Sequence, residues 1–388
     1  MKKDLLIITN YFPPEIGAAS NRIYALAQGL SSLNNIVTVL TPLPNYPHGK
    51  IFKEYRGAFS KKESIEKLNV YRLWIYASNS KNKFTRFFSM ISYSLSLIWY
   101  FARKPIPDKV IIQSPPLIVA FTCMIFLKKR NRKLILNVSD LWPIAGLELG
   151  AFKKNFTYRT LQRIECFNYR HADLILGQSN EIIEYITNIV PNTPIFLYRN
   201  LPQNLPILKE NKRDDSHKIK LVYAGLLGVA QGILKLIKNL EYSNIELHIY
   251  GSGTEQEEIF KYLNKNPQLS VSFYGSIPRH ELMKKMEEYD IAIVPLLTRI
   301  YGSVPSKIFE LAHLGIPILY FGGGEGADLV DRYELGWSVD PGDYDSLNKT
   351  IMRLNSDKLN DVSRVKLREI ALKEFNFVNQ LNLLNRIM

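Results

Sequence analysis

Short runs of Ile, Leu and Val alternate with segments of helical periodicity along most of the chain. Runs that are apolar at nearly every position are typical of parallel strands, because helices cover both faces of such a sheet. In the first half these runs are LLIIT (5–9), IVTVL (36–40), VYRLW (70–74), KVIIQ (109–113), LILNV (134–138) and LILG (174–177). The alternation predicts a doubly wound α/β domain.

The alternation stops over residues 201–218, where prolines and dense charge favour a linker. It then resumes with KLVYAG (220–225), IELHIYG (245–251), VSFYG (271–275), IAIVPL (291–296), IPILYFG (316–322) and GWSVD (336–340). We therefore predict two Rossmann-like parallel-sheet domains, over 1–202 and 203–371, facing a cleft. Ligands of such sheets bind beyond the carboxyl ends of the strands. The helical, basic segment 372–388 is predicted to pack back on the first domain.

The charge balance of the 388-residue chain favours an anionic partner, since the formal net charge is +14. Phosphorylated ligands and acidic membranes both fit, and so does a basic surface with no such role. Nucleic acid is not a favoured partner, because no nucleic-acid-binding module is recognisable. Two distant cysteines, Cys123 and Cys166, form no disulfide framework, so we expect a cytoplasmic protein. The scattered histidines predict no zinc site.

The first strand-to-helix connection, NYFPPEIGAASNR (10–22), combines two prolines with small residues before a helix. Gly17 and the alanines that follow it are small, which allows the backbone to approach a ligand. The helix N-terminus beside them favours negative charge. The alternative is a loop whose small residues serve only packing.

A second segment, SVPSKIFELAHLGIPIL (303–319), predicts a loop, a helix ended by Gly315 and a buried strand. Ser306 or Ser303 is a candidate helix cap. Glu310, in the first turns of that helix, suits two hydrogen bonds from ribose hydroxyls, and Lys307 suits a diphosphate. The alternative is a surface Glu and a solvated Lys.

Three further acidic positions admit two interpretations each. Asp140, at the end of strand LILNV, is either a catalytic group at the carboxyl edge of the sheet or a helix cap before Pro143. The string Asp343-Tyr344-Asp345 imitates a metal–diphosphate motif, but capping is the preferred interpretation. GGGEGA (322–327) imitates a dinucleotide fingerprint, but its late position favours a helix start near a donor sugar, with Glu325 as a contact.

Several collinear motifs carry a family resemblance over essentially the whole chain. They are FPPEIGAASNR, PNYPHGKIF (44–52), SDLWP (139–143), YRN (198–200), YGSG (250–253), VPSKIFE (304–310) and GGGEGADLV (322–330). Together they resemble the retaining GT-B glycosyltransferases of family four, and more narrowly the WbuB-like branch that acts in bacterial surface-polysaccharide assembly. The resemblance implies a GT-B fold and transfer of a hexosyl or N-acetylaminosugar unit from a nucleotide sugar to an acceptor, without a metal or other cofactor.

The resemblance also assigns donor-site residues. Glu310 matches the second Glu of the family's Glu, seven residues, Glu motif, which grips the donor ribose. Ser306 and Lys307 lie where that motif meets phosphates and sugar, Gly17 lies in a loop beside the phosphates, and Gly251 belongs to the YGSG match. The implied catalytic mechanism retains configuration without a protein nucleophile.

Two departures from the family pattern stand out. The motif's first Glu falls at Gly302, and the Arg and Lys expected after the first strand of the second domain fall in AGLLGVAQG (224–232), which has neither. Gln231, together with backbone N–H groups such as that near Gly225, is the expected substitute. Alternatives to a transferase are a nucleotide-sugar epimerase of the same fold and a non-catalytic nucleotide-sugar-binding protein.

An uncharged run, FFSMISYSLSLIWYFA (87–102), bordered by Arg86 and Arg103, is shorter than a membrane span. Ser89, Ser92 and Ser96 give it a narrow polar stripe. With the basic cluster KKRNRK (128–133), it predicts peripheral contact with an anionic membrane, at the inner face of the plasma membrane, next to a lipid-diphosphate-linked or saccharide acceptor. The alternative is a core helix.

Overall fold

The computed structural model describes residues 3–78, 83–148, 150, 153–203, 205–209 and 218–388, with the side chains of 83, 84, 86, 87 and 356 left out. The described chain divides into two units, Met1–Asn200 with Val378–Met388, and Leu201–Phe377. From the sequence, the corresponding domain boundaries are predicted between residues 202 and 203 and between residues 371 and 372. Most of the linker predicted over 201–218, namely 204 and 210–217, lies outside the described residues.

The first unit is built on an eight-stranded sheet with strand order β3-β4-β2-β1-β5-β6-β7-β8. Its strands are β1 (Lys3–Ile8), β2 (Asn35–Pro42), β3 (Ser60–Ile65), β4 (Leu68–Leu73), β5 (Lys109–Ser114), β6 (Lys133–Val138), β7 (Leu174–Gly177) and β8 (Ile195–Leu197). Its helices before the second unit are α1 (Ala18–Ser32), α2 (Lys83–Arg103), α3 (Leu117–Leu127), α4 (Ile144–Glu148), α5 (Phe156–His171) and α6 (Asn180–Ile189). The six predicted strands of this unit are all present.

Two strands of this sheet have no counterpart among the predicted runs. β3 pairs antiparallel with β4 at the sheet edge, and its sequence SKKESI alternates exposed and half-buried positions. An edge strand needs no apolar face on both sides, so it lacks the signal that identified the central strands. β8, at the opposite edge, has only three residues.

The second unit has a six-stranded, wholly parallel sheet with strand order β11-β10-β9-β12-β13-β14. Its strands are β9 (Ile219–Ala224), β10 (Ile245–Tyr250), β11 (Val271–Gly275), β12 (Ile291–Pro295), β13 (Ile318–Phe321) and β14 (Gly336–Val339). Its helices are α7 (Ile233–Asn239), α8 (Gln256–Lys265), α9 (Arg279–Lys285), α10 (Lys307–Leu314), α11 (Glu325–Arg332), α12 (Tyr344–Met352), α13 (Ser356–Asp361) and α14 (Arg364–Glu374). All six predicted strands are present.

The C-terminal helix α15 (Phe377–Ile387) follows a break after α14 and contacts the first unit. The Gln380 amide accepts a hydrogen bond from the Arg199 backbone N–H at 2.8 Å and donates one to its carbonyl at 3.0 Å. Asn35 Nδ2 donates to Asn385 Oδ1 at 3.1 Å. These polar contacts join α15 to the start of β2 and to the segment after β8 of the first unit.

The described part of the chain contains no helix that is long and apolar enough to span a bilayer. The basic cluster after α3 is largely occupied with internal contacts. Lys128 pairs with Asp173, Arg132 donates to three backbone carbonyls, and Lys133 donates to the Ile387 carbonyl. These three residues therefore hold loops of the first unit together, while Lys129 and Arg130 are exposed, and the membrane role expected of the cluster stays a prediction.

Candidate functional site

Helix α10 begins and ends as its sequence predicts. Ser306 occupies the N-cap position, and its carbonyl accepts the Glu310 backbone N–H at 3.1 Å. The Ser306 hydroxyl makes no capping bond, so the expected side-chain cap is wrong for this residue. Gly315 ends the helix with φ 72°, a conformation that glycine adopts without strain.

The carboxylate of Glu310 lies between two cations. Arg279 Nη2 is 2.5 Å from Oε1, and Lys307 Nζ is 3.3 Å from Oε2. The Glu310 side chain is only 11% exposed. Burial alone would raise the pKa of this carboxyl, but the charges of Lys307 and Arg279 outweigh it and lower the pKa below its ordinary value. Glu310 is therefore an ionised acceptor held in a fixed orientation.

Arg279 is a site residue that the sequence analysis did not find. It is the first residue of α9, which follows strand β11. It is separated from Glu310 by 31 positions, and no motif spacing connects the two. A basic residue before a Glu-rich helical segment has many surface explanations, so the sequence carries no usable signal for this contact.

Glu310 and Lys307 border a cavity of about 140 Å³ within the second unit. Gly225 and Gln231 also line it, so four of the predicted donor-site residues come together here. The remaining lining is mostly apolar and includes Leu282, Met283, Met286, Pro305 and Leu311. A cavity of roughly 150 Å³ holds a benzene ring. An apolar cavity of this size with one carboxylate and one cation at its border suits a single planar heterocycle attached to polar groups.

Gly225 and Gly251 are packed backbone against backbone. A Cβ at Gly251 would lie 1.8 Å from the Gly225 carbonyl oxygen, and φ at Gly251 is 147°. The Gly225 N–H donates to the Tyr250 carbonyl at 2.9 Å. Gly251 is therefore required for the loops after β9 and β10 to lie together, and it acts on the cavity through Gly225, since it is not among the residues that line the cavity.

The N-terminal N–H groups of α7 are already bonded to a carboxylate of the protein. The Glu255 carboxylate accepts the backbone N–H groups of Ile233 at 2.8 Å and Leu234 at 3.4 Å. These two N–H groups lie just after the segment 224–232, whose backbone N–H groups were expected to substitute for the family's Arg and Lys. Gln231 borders the cavity, and its contact with a diphosphate stays a prediction.

Ser306 and Glu325 are not among the residues that line this cavity. Glu325 is buried at the start of α11. The adjacent glycines serve packing: a Cβ at Gly326 would lie 2.4 Å from the Tyr320 hydroxyl oxygen, and one at Gly322 would lie 3.0 Å from the same ring. The direct sugar contact expected of Glu325 thus stays a prediction.

The string at 343–345 is a helix cap. Asp343 Oδ1 accepts the Ser346 backbone N–H at 2.9 Å at the start of α12, which lowers the pKa of Asp343. The preferred capping interpretation is confirmed. Among the described residues, no three His, Cys, Asp or Glu side chains are grouped so as to hold a metal ion.

In the first unit, Gly17 lies at the N-cap of α1, half-buried against Tyr46. The residue that organises this region is Glu15, whose carboxylate accepts the backbone N–H groups of Asn45 at 2.8 Å, Tyr46 at 2.9 Å and Phe12 at 3.2 Å. Burial raises the pKa of Glu15 despite these bonds. The motifs FPPEIG and PNYP are therefore one structural feature joined by a buried carboxylate.

Asp140 follows β6 and lies close to the buried guanidinium of Arg22. Burial raises the pKa of Asp140, and the charge of Arg22 partly offsets this. Arg22 itself donates to Gln178 at 2.8 Å and to Asn137 at 3.1 Å. Helix α4 begins at Ile144, and a helical backbone bond from the Ala145 N–H to the Leu141 carbonyl already starts directly after Asp140, so the catalytic and capping interpretations of Asp140 both stay open. Asp140 is part of a polar group at the carboxyl edge of the first sheet.

Two family models match the chain. The model described as glycosyl transferases group 1 matches residues 206–374, and the glycosyl transferase 4-like domain matches residues 17–200. Sucrose-phosphate synthase from Thermosynechococcus elongatus is a similar solved structure, with a TM-score of 0.75, 13% identity and coverage of 100% of this chain and 98% of that one. No curated protein sequence matches significantly.

Two further solved structures cover 99% of this chain and 99% of their own. The lipopolysaccharide outer core galactosyltransferase WaaB, in its apo form, has a TM-score of 0.66 and 18% identity. HepE of Anabaena, in complex with UDP and glucose, has a TM-score of 0.66 and 13% identity. At these identities the likeness shows the fold.

Two parallel-sheet α/β domains with full-length likeness to GT-B structures define the architecture as GT-B. The two family models together span both domains. The chain belongs to the group 1 glycosyltransferases.

Proposed function

We propose that this protein transfers a sugar from a nucleoside diphosphate donor to a lipid-linked saccharide during surface-polysaccharide synthesis, such as that of O-antigen, capsule or exopolysaccharide. The observation that carries the donor part is the ionised Glu310 at the border of a ring-sized apolar cavity. The similar structures of WaaB and HepE, the latter with UDP and glucose, support this choice of chemistry. The motifs shared with the WbuB-like branch support the acceptor.

In this proposal the nucleobase occupies the cavity and the ribose hydroxyls donate to Glu310. A carboxylate has about four lone-pair sites, of which Arg279 and Lys307 use one on each oxygen, so one per oxygen remains for the two hydroxyls. Lys307, the first residue of α10, and the Gly225 loop lie beside the position of the diphosphate. Charge that develops on the departing phosphate is stabilised by a fixed cation and by the helix start.

The acceptor side is assigned to the first unit. Asp140, whose raised pKa suits a group that exchanges protons, orients or deprotonates the acceptor hydroxyl. Configuration is retained without a protein nucleophile, with the leaving phosphate helping to accept the proton. Asp140→Asn is expected to reduce turnover sharply while leaving thermal stabilisation by the donor unchanged, and a covalent sugar adduct on a side chain would contradict the mechanism.

The proposal includes no metal or other cofactor. Lys307 supplies positive charge beside the proposed position of the diphosphate, where a metal-dependent transferase would use a divalent cation. Transfer should therefore persist in excess EDTA. Loss of transfer that Mg²⁺ or Mn²⁺ restores would overturn this part and leave the donor site intact.

The protein, in this proposal, acts as a peripheral protein at the inner face of the plasma membrane. It rests on the net charge of +14 and on the apolar run 87–102. Part of that run, together with Arg86, has side chains outside the described residues.

The decisive experiment is a panel of nucleotide sugars, screened first for thermal stabilisation and then for transfer to lipid-diphosphate-linked saccharides. Binding to the native state raises the melting temperature in proportion to occupancy. An epimerase would convert the donor without an acceptor. A non-catalytic protein, which Gly302 and the missing basic pair favour, would be stabilised and yet neither hydrolyse nor transfer. No stabilisation by any nucleotide sugar would refute the donor proposal.

A further inference from the structure

The first unit carries a group of large apolar side chains at its surface, of which five are exposed and Trp99 is half-buried. They come from the loop before β3, from the segment after β4 and from one side of α2. We call the group the aromatic face: Phe59, Trp74, Tyr76, Phe88, Leu95 and Trp99. We propose that the aromatic face inserts into the interfacial region of an anionic lipid bilayer. This inference rests on the membrane contact in the proposed function and names the surface of the protein that makes it.

Ring contacts join three members of the aromatic face, and helical spacing puts two more on the same side of α2 as Trp99. The rings of Phe59 and Trp74 are stacked with centroids 6.5 Å apart, and the Phe59 and Trp99 rings meet edge to face at 5.5 Å. Phe88 and Leu95, two turns apart on α2, are 61% and 60% exposed. Residues from three separate segments thus form one apolar surface, which monomeric soluble proteins rarely expose without an interaction role.

Two serines of the polar stripe of α2 bond to the backbone of the chain after β4 instead of facing water. Ser96 Oγ donates to the Trp74 carbonyl at 2.8 Å, and Ser92 Oγ accepts the Tyr76 backbone N–H at 2.8 Å. Both serines are buried. These bonds fix α2 to the chain after β4. The helix buries Tyr93 and Leu97 on its inner side and leaves Phe88 and Leu95 exposed, so the aromatic face is a preformed platform.

The charges around the aromatic face are complementary to anionic headgroups. Among the described side chains of strands β3 and β4 and helix α2, Lys61, Lys62 and Arg103 are basic and at least partly exposed, whereas Arg72 is buried and pairs with Glu63. Arg103 lies 4.7 Å from the centroid of the Trp99 ring, at the border of the aromatic face. Aromatic rings bordered by Arg and Lys are the usual composition of a membrane-interface surface, where each basic residue near the lipid adds attraction.

The test measures binding of the full-length protein to vesicles of equal parts phosphatidylglycerol and phosphatidylcholine, with phosphatidylcholine vesicles for comparison. Leu95→Glu places a negative charge in the centre of the aromatic face and should weaken binding about tenfold or more. The matched control is Leu372→Glu, at a helical leucine of the second unit that is 49% exposed, which should leave binding unchanged.

Insertion has its own readout, because two of the chain's four tryptophans belong to the aromatic face. Brominated lipid should quench the fluorescence of the wild-type protein, and Trp74→Phe/Trp99→Phe should lose most of that quenching while still sedimenting with anionic vesicles. Quenching that persists in the double variant would place the inserted surface elsewhere.

Two other outcomes overturn the inference. If light scattering shows a dimer that Leu95→Glu converts to monomer while vesicle binding is unaffected, the aromatic face joins two copies of the chain. If Leu95→Glu binds vesicles as tightly as the wild type, another surface binds. Thermal stabilisation by nucleotide sugars is measured in parallel: its retention with failed vesicle binding refutes only this inference, and its absence with intact vesicle binding refutes only the donor proposal.

Discussion

Replacement of Arg279 by alanine tests whether the ribose-binding role of Glu310 depends on its paired cation. Arg279 Nη2 lies 2.5 Å from Glu310 Oε1, and the arginine side chain is 62% exposed while the carboxylate is 11% exposed. A hydrogen bond to a charged group contributes about 1.5–3 kcal/mol when both partners are shielded. Because the arginine is largely in water, about 1 kcal/mol is a reasonable contribution to holding the carboxylate. That corresponds to about fivefold weaker binding of a nucleoside diphosphate.

Calorimetric titration with UDP, GDP and ADP identifies the tightest ligand, and its 2′,3′-dideoxy analogue completes a double-perturbation cycle. If Arg279 acts by orienting Glu310, the fivefold loss disappears with the dideoxy ligand, which has no hydroxyl for the carboxylate. Lys284→Ala, an exposed cation on the same helix, is the control and should bind normally.

The pH dependence gives an independent check on the same pair. The pKa of Glu310 is lowered by its cations, so wild-type affinity should be maintained as pH falls through 4.5, the ordinary glutamate value. Arg279→Ala removes one cation, so its affinity should decline at a higher pH than that of the wild type. Two results would refute the reasoning. Tighter ligand binding by Arg279→Ala would mean that Arg279 competes with the ribose hydroxyls for Glu310. An equal loss of affinity with the dideoxy ligand would mean that Arg279 contacts the phosphates directly.

Three further predictions follow from backbone geometry and burial. Gly251→Ala should lower the melting temperature and abolish stabilisation by the donor, because its Cβ would lie 1.8 Å from the Gly225 carbonyl oxygen. The control is Gly342→Ala, where φ is 88° and the space around the residue is open. It should lower the melting temperature less, since its only cost is backbone strain. Gly302→Glu, which restores the family's missing glutamate at a position with φ 82°, should cost about 1–3 kcal/mol of stability in denaturant unfolding without raising transfer; a gain in turnover would contradict this. Burial raises the pKa of Glu165 to about 8 from 4.5, so the native state holds a proton that the unfolded state loses between those values, and stability should fall as pH rises through that window. Glu165→Gln should remove this slope in melting temperature against pH; an unchanged slope would mean that Glu165 is ionised in the native state.

The central architecture could be predicted from the sequence because its physical cause is local. A strand buried on both faces must be apolar at nearly every position, and all twelve runs with that property are strands. The helix with Lys307 and Glu310 was likewise predictable, since a loop proline, a helical pattern and a terminal glycine are neighbours in the chain. Edge strand β3 was not, because an edge strand tolerates the charged sequence SKKESI.

Other features were decided by tertiary structure, because each depends on which distant segments the sheets bring together. Arg279 meets Glu310 across 31 positions only because α9 and α10 border one cavity. The serines of α2 form a polar stripe in sequence, but packing turned Ser92 and Ser96 toward the chain after β4 and left Phe88 and Leu95 exposed. Local sequence thus determined which segments are strands and helices, whereas charge pairing and the direction of each helical face followed from packing between segments that the sequence does not place side by side.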